Sequence, residues 1–404
     1  MIGIFSGIRV IELGQAIAAA WPTKAMASQG AEVISIEIAQ RPNILRGSPA
    51  LPSAGTRYPN YGLMKLGITL DLRQAEGRRL MRELLRISDI FIQNYSPEAI
   101  ARFGLEEPAV REINPSIIYL GLPGVGSYGP YRNFSAFGIA IQAMGGLNHL
   151  IGYLGEEAMG PAVSYPDYVT GTCAAFVLAA ALDHRRRTDS GMHMEMSLYE
   201  AMATSLSTTI LEYTANGHIP TRMGNRDPRA APHGYYRCQS FSGKDQGEDR
   251  WCAIAVFEDE EWLGLCQALG NPPWTKDLRF ATLAGRKENE DELDRLAEEW
   301  TINYDAWEVM YRLQRAGVPA GVVEKGSDSG EGRDIHLKRR EFMEVSSHPD
   351  YGNCPAFPVP IRFSETRCRF GHTPAVGEHD SYVYKRLLGM SDEEMERLKK
   401  EGVI

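Results

Sequence analysis

Cysteine is scarce, and its six residues, Cys173, Cys238, Cys252, Cys266, Cys354 and Cys368, include no C-x-x-C pair, which argues against a zinc site and against a disulfide framework. A reducing cytoplasm is the expected compartment. Positive charge is in deficit, with 43 Lys and Arg against 52 Asp and Glu and a net charge of -9. No general basic surface is therefore at hand to displace the counterions of nucleic acid. No apolar run reaches the roughly 20 residues of a membrane span, and the opening residues 1–6 carry no basic region or cleavage site. Neither nucleic acid nor a membrane is expected as a partner. Phosphate-loop and hydrolase signatures are missing too: no G-x-G-x-x-G follows the first strand, and G-x-x-x-x-G-K-[ST], G-x-S-x-G and H-E-x-x-H do not occur. Nicotinamide, P-loop and serine-hydrolase readings lose their support. The nine histidines contain no i, i+4 pair, so no metal is expected.

What is present is an ordinary globular composition, 43% hydrophobic and 24% charged over 404 residues, enough for two or three folded units. Strand-like runs at residues 8–13, 31–37, 68–72, 89–93 and 117–121 alternate with helical stretches such as 75–87, the pattern of an α/β protein with a parallel, doubly wound sheet. Ser96-Pro97 starts a helix, and Ser391-Asp392-Glu393-Glu394 starts another near the end. Residues 168–187 and 194–217 are apolar with few breakers and predict two long helices. Between Asn225 and Asp249 the composition turns to Gly, Pro, Arg and polar residues, which marks a domain boundary. A compact α+β unit follows, opened by a strand at 251–256.

Asp167 stands directly ahead of the apolar run to Leu182. Two roles fit it. An aspartate at a helix start accepts backbone N–H bonds and profits from the helix dipole. The same place keeps a carboxylate ionised and partly desolvated, as a covalent nucleophile must be.

The segments Gly7-Ile8-Arg9-Val10-Ile11-Glu12-Leu13, Gly30-Ala31-Glu32-Val33-Ile34, Ile68-Thr69-Leu70-Asp71-Leu72, Asn114-Pro115-Ser116-Ile117-Ile118-Tyr119, Gly129-Pro130-Tyr131, Arg279-Phe280-Ala281-Thr282, Ala316-Gly317-Val318-Pro319 and Gly377-Glu378-His379 in their order and spacing resemble the family III CoA-transferases. The resemblance runs nearly end to end. It implies a large Rossmann-like domain built from residues 1–224 and 329–404, a smaller α+β domain at 225–328, and two subunits interlocked as a dimer. It also implies transfer of CoA from an acyl-CoA donor such as succinyl-CoA to a free carboxylic acid, through an aspartyl anhydride and an aspartyl-CoA thioester. The family's nucleophile falls on Asp167, with Arg187-Thr188-Asp189-Ser190-Gly191 and His193 following. No tightly bound cofactor is implied, coenzyme A being the substrate.

By the same resemblance Gln15, Ala16, Arg41, Lys65, Asn94, Tyr95 and Arg102 are the expected CoA contacts. A solvated face is the alternative for Lys65 and Arg102. Phe137 and His233 are the expected substrate contacts, His233 having the alternative of a turn residue bonded to backbone. The chain departs from the family pattern at Met64-Lys65-Leu66-Gly67, where Asn-Lys-Arg-Ser is usual, and at Ile38, where a basic residue often stands. Phe137-Gly138 replaces Gly-Tyr-Asp or Tyr-Glu, and the catalytic histidine of the related racemase, so a racemase reading lacks its second acid/base. Pro232-His233-Gly234-Tyr235-Tyr236-Arg237-Cys238 resembles members that activate larger or aromatic acids, such as succinyl-CoA:benzylsuccinate CoA-transferase. The expected assembly is a homodimer, or a heterodimer with a paralogous subunit; the alternative functions are an acyl-CoA racemase or isomerase of the same superfamily and a non-catalytic partner subunit of a heteromeric CoA-transferase.

Overall fold

The computed structural model describes residues 3–47, 58–135, 137–240, 249–330, 334–348 and 352–404. Six strands, β1 (Arg9–Leu13), β2 (Glu32–Glu37), β3 (Leu66–Thr69), β4 (Ile90–Gln93), β5 (Ile118–Gly121) and β6 (Met192–Glu195), form a sheet in the order β3-β2-β1-β4-β5-β6. Every neighbouring pair is parallel. Successive side chains go to opposite faces: Val10 packs with Val33, Ile90 and Leu178, whereas Ile11 packs with Ile34, Phe91 and Leu84. Both faces are covered, which is why the strands are near-continuous apolar runs. The order reverses between β1 and β4, and such a reversal leaves a crevice beyond the carboxyl ends of the two strands.

Two expected elements differ. The third strand is Leu66–Thr69, two residues earlier than its apolar run suggested, because Leu66 and Ile68 pair with Ile34 and Ile36 of β2. The long helix expected at 194–217 is instead β6 followed by helices Leu198–Ser205 and Ser207–Asn216. Met192 to Glu195 pair with Ile118 to Gly121 at the sheet edge, and Ser197 caps the next helix by accepting from the Glu200 N–H. The helix expected at 168–187 spans Tyr165–Thr188; it buries Ala174, Leu178 and Ala181 against the sheet and leaves Phe176 75% exposed.

The chain divides into two compact units, one of residues 1–148, 160–220 and 335–404, the other of 149–159 and 221–334. The second unit thus also takes residues 149–159, a piece that lies well before the compositional boundary. In it, β7 (His233–Cys238), β8 (Arg250–Ala255) and β9 (Ala320–Val322) form an antiparallel sheet. Helices Asp259–Ala268, Glu290–Thr301 and Ala306–Arg315 pack on it around Trp262, Phe280, Leu293 and Leu313. In the first unit the chain returns at its end to β3: Thr69 donates from its N–H and hydroxyl to Asp380 at 2.8 and 2.7 Å, and the Asp71 N–H donates to the Val403 carbonyl at 2.8 Å. Among the described residues no helix is long and apolar enough to cross a membrane.

Candidate active site

The loop leaving β1 is drawn tightly onto β4. A Cβ on Gly14 would lie 2.8 Å from the Ala19 Cβ and 3.2 Å from Asn94 Oδ1. Ala16 holds φ at 57°, a left-handed conformation that costs a non-glycine residue roughly 1–2 kcal/mol. Asn94 fixes the loop from across the reversal, accepting from the Gln15 N–H at 2.9 Å and donating to the Gln15 carbonyl at 2.6 Å. Gln15 Oε1 in turn accepts from the Ile44 N–H at 3.3 Å, and burial raises the Tyr95 phenol above its ordinary range. Gln15, Ala16, Asn94 and Tyr95 are therefore brought together, half-buried, beyond β1 and β4.

Beneath that loop lies a layer of buried charge. Lys65 is 3% exposed and donates to Glu12 at 2.7 Å and to the Ala20 carbonyl at 3.0 Å. Its solvated-face alternative is thereby corrected. Burial lowers the Lys65 ammonium's proton affinity, and Glu12 opposes the shift. Glu37 accepts two bonds from Arg46 Nε, at 2.9 and 3.0 Å, and one from Nη2 at 2.6 Å. Burial and the neighbouring Lys65 push Lys24 down to about 8. Arg46 escaped the sequence reading, which had weighed Arg41; Arg41 is exposed, while Asn43 turns the chain so that Arg46 folds back onto Glu37. The Arg102 side chain is 69% exposed and lies 3.6 Å from Glu98.

Asp167 is the third residue of its helix, after Ser164 at the cap position and Pro166 in the first turn. It is 7% exposed and takes hydrogen bonds from the Ser164 hydroxyl and the Ala18 backbone N–H. Burial raises its pKa above the usual carboxylate value, with those two donors working against the rise. Ala18 belongs to the same loop as Gln15, so one loop touches both the crevice residues and the carboxylate. Phe137 stands at the N-cap position of the helix Gly138–Met144 and is 72% exposed, next to Gly138, where a Cβ would run into Asp167.

An aromatic group missed by sequence reasoning flanks this region: Trp21 meets Tyr168 edge-on at 5.0 Å and Tyr61 at 6.2 Å, and the two tyrosine hydroxyls are hydrogen-bonded. A Cβ on Gly171 would lie 3.0 to 3.2 Å from Trp21 and Pro22, so glycine there lets the helix close on the ring. No sequence spacing links Tyr61 to Tyr168; only the fold does.

His193 sits on β6 with its ring edge-on to Tyr119 at 5.0 Å, lining a cavity of about 210 Å³ with Gln93, Tyr95 and Glu195. His233, in the second unit, donates from Nδ1 to the Asn225 carbonyl and stands 5.8 Å from Phe257. That backbone bond matches its alternative role. It lines an open groove of about 1020 Å³ with Tyr153, Arg226 and Tyr235. Among the described residues no cluster of three or more His, Cys, Asp or Glu is arranged to hold a metal ion.

The model of CoA-transferase family III matches residues 5–380. The chain is 31% identical to succinyl-CoA–D-citramalate CoA-transferase of Chloroflexus aurantiacus, covering 98% of this chain and 97% of that protein. It is 28% identical to succinate–glutarate CoA-transferase of Agrobacterium fabrum, with 95% of each covered. Among solved structures, a CAIB/BAIF family protein from Brucella suis superposes with a TM-score of 0.85 at 28% identity, covering 96% of this chain and all of that one (100%).

Proposed function

Because the chain belongs to CoA-transferase family III, we propose that it moves CoA from succinyl-CoA to a short dicarboxylic acid, with Asp167 as covalent nucleophile. The carrying observation is a buried aspartate at a helix start, held by the Ala18 N–H of the loop that also forms the crevice beyond β1 and β4. The Asp167 carboxylate attacks the thioester carbonyl, the C–S bond breaks, and CoA thiolate leaves an aspartyl–succinyl anhydride. The thiolate then attacks the aspartyl carbonyl and succinate departs, which leaves an aspartyl-CoA thioester. The acceptor carboxylate attacks that thioester and frees the thiolate. Attack of the thiolate on the acceptor's carbonyl in the second anhydride yields the new acyl-CoA and restores Asp167. Each step exchanges one activated acyl group for another, so the cycle consumes no water or proton and needs no tightly bound cofactor.

Gln15, Ala16, Asn94 and Tyr95 are the proposed CoA contacts, supported by their place at the reversal of strand order. Lys65 is proposed to act from below, by holding Glu12 and the loop. Dicarboxylic acceptors are suggested by the names of the relatives, which act with D-citramalate, glutarate and L-malate. We further propose a homodimer. Phe176, Leu211 and Tyr213 are 75%, 63% and 57% exposed, and no residue of the helix Ser207–Asn216 is buried, more apolar surface than a monomer usually shows. Relatives named as alpha and beta subunits of a succinyl-CoA–L-malate CoA-transferase keep a second reading, a heterodimer.

One preparation of the isolated chain tests the proposal. It should sediment as a dimer, transfer CoA from succinyl-CoA to glutarate, malate or citramalate, and carry a hydroxylamine-trapped adduct on Asp167. Asp167→Asn should lose at least about a thousandfold in transfer, since an amide supplies no anionic oxygen. Full transfer by that variant overturns the nucleophile, and an inactive dimer rescued by a paralogue favours the heterodimer.

A further inference from the structure

Ser164 occupies the cap position of the helix Tyr165–Thr188, where a serine hydroxyl ordinarily accepts from a backbone N–H of the first turn. Here it makes no such cap bond. The Asp167 N–H reaches the Ser164 main-chain carbonyl instead, at 3.2 Å, and the hydroxyl is turned to donate to Asp167 Oδ2. The cap has been given up for the carboxylate.

Gly138 makes room for this. A Cβ built on it would run into both Ser164 Oγ and Asp167 Oδ2, and its backbone is outside the left-handed region, so conformation alone does not call for glycine. Space does. Taking Asp167 as the nucleophile proposed above, we infer that Ser164 is a positioning residue that orients the attacking carboxylate and keeps it ionised, and that residue 138 is glycine to admit that hydroxyl.

Burial works against the charged form of Asp167, and a hydroxyl donor is one of the groups that oppose it. Removing the hydroxyl must therefore raise the pH at which the nucleophile becomes competent. A serine that merely shaped the helix start would leave that pH unmoved.

The test follows succinate release in the first turnover with succinyl-CoA as a function of pH. Ser164→Ala should move the acidic limb upward by about one unit, which is roughly a tenfold loss at any pH below the limb. Gly138→Ala should lose about a hundredfold or fail to fold, because the methyl displaces the carboxylate from its place. In the double variant Gly138→Ala/Ser164→Gly the clash with the hydroxyl is gone and only that with the carboxylate is left. That protein should regain part of the melting temperature lost by Gly138→Ala while keeping the shifted limb of Ser164→Ala. An unshifted limb in Ser164→Ala, with Asp167 still required, overturns the inference, as does wild-type behaviour of Gly138→Ala. Unimpaired succinate release by Asp167→Asn instead removes the nucleophile reading on which the inference rests.

Discussion

The loop after β1 serves two buried carboxylate sites that are built on opposite rules. Glu12 and Glu37 each have a buried cation, Lys65 at 2.7 Å and Arg46 at 2.6 Å, and neutral donors complete their shells. Asp167 is almost as deeply buried yet has no ion pair among the described residues, only a hydroxyl and backbone N–H groups. A paired charge is quenched as a nucleophile and serves as scaffold. An anion held by dipoles alone remains available for bond formation, and no opposite charge offsets its desolvation.

Breaking a pair should therefore have the largest effect on folding. Lys65→Met leaves Glu12 buried without its cation and should destabilise the first unit by about 3–5 kcal/mol in guanidinium unfolding. A loss below about 1 kcal/mol would mean that the layer is no scaffold. The opposite sign is expected at Asp167. Burial raises its folded pKa above the ordinary carboxylate value, so the unfolded chain gives up the proton first. Wild-type stability should thus fall as pH rises through the carboxylate range. Asp167→Asn removes that slope, and its melting temperature should match wild type near pH 3 and exceed it at pH 7; a variant less stable at pH 7 would show that the charge is stabilising after all. The smallest effect belongs to Arg102, whose exposed pair with Glu98 at 3.6 Å is screened by water. Arg102→Ala should change unfolding by no more than about 0.5 kcal/mol, and a larger loss would give that surface a structural role.

Much of the sheet was legible because its strands are apolar on both faces. Runs such as Ile90-Phe91-Ile92 need no partner to be recognised. β6 was not, since Met192-His193-Met194-Glu195 lies at the edge, half-exposed, and merges with the apolar helices after it. Asp167 stood out through local signals, an acid ahead of an apolar helix and a family motif. Its surroundings did not. Ala18 and Gly138 come to it from distant segments, Arg46 turns back through a short 3-10 helix, and Tyr61 meets Tyr168 across 107 positions. Nothing in residue spacing encodes contacts made by tertiary packing.

The return of the chain to β3 has a consequence for biosynthesis. Thr69 is gripped by Asp380 and by the Tyr384 hydroxyl, and Asp71 by Val403, across more than three hundred positions (|i−j| of 311 for Thr69 to Asp380). The β3 side of the first unit therefore stays open on the ribosome until residues as late as Val403 have emerged. Residues 221–334, the bulk of the second unit, are already outside by then and carry most of that unit's own core. Folding during synthesis is expected to run against the order of the chain, with the inserted unit closing before the unit that begins first.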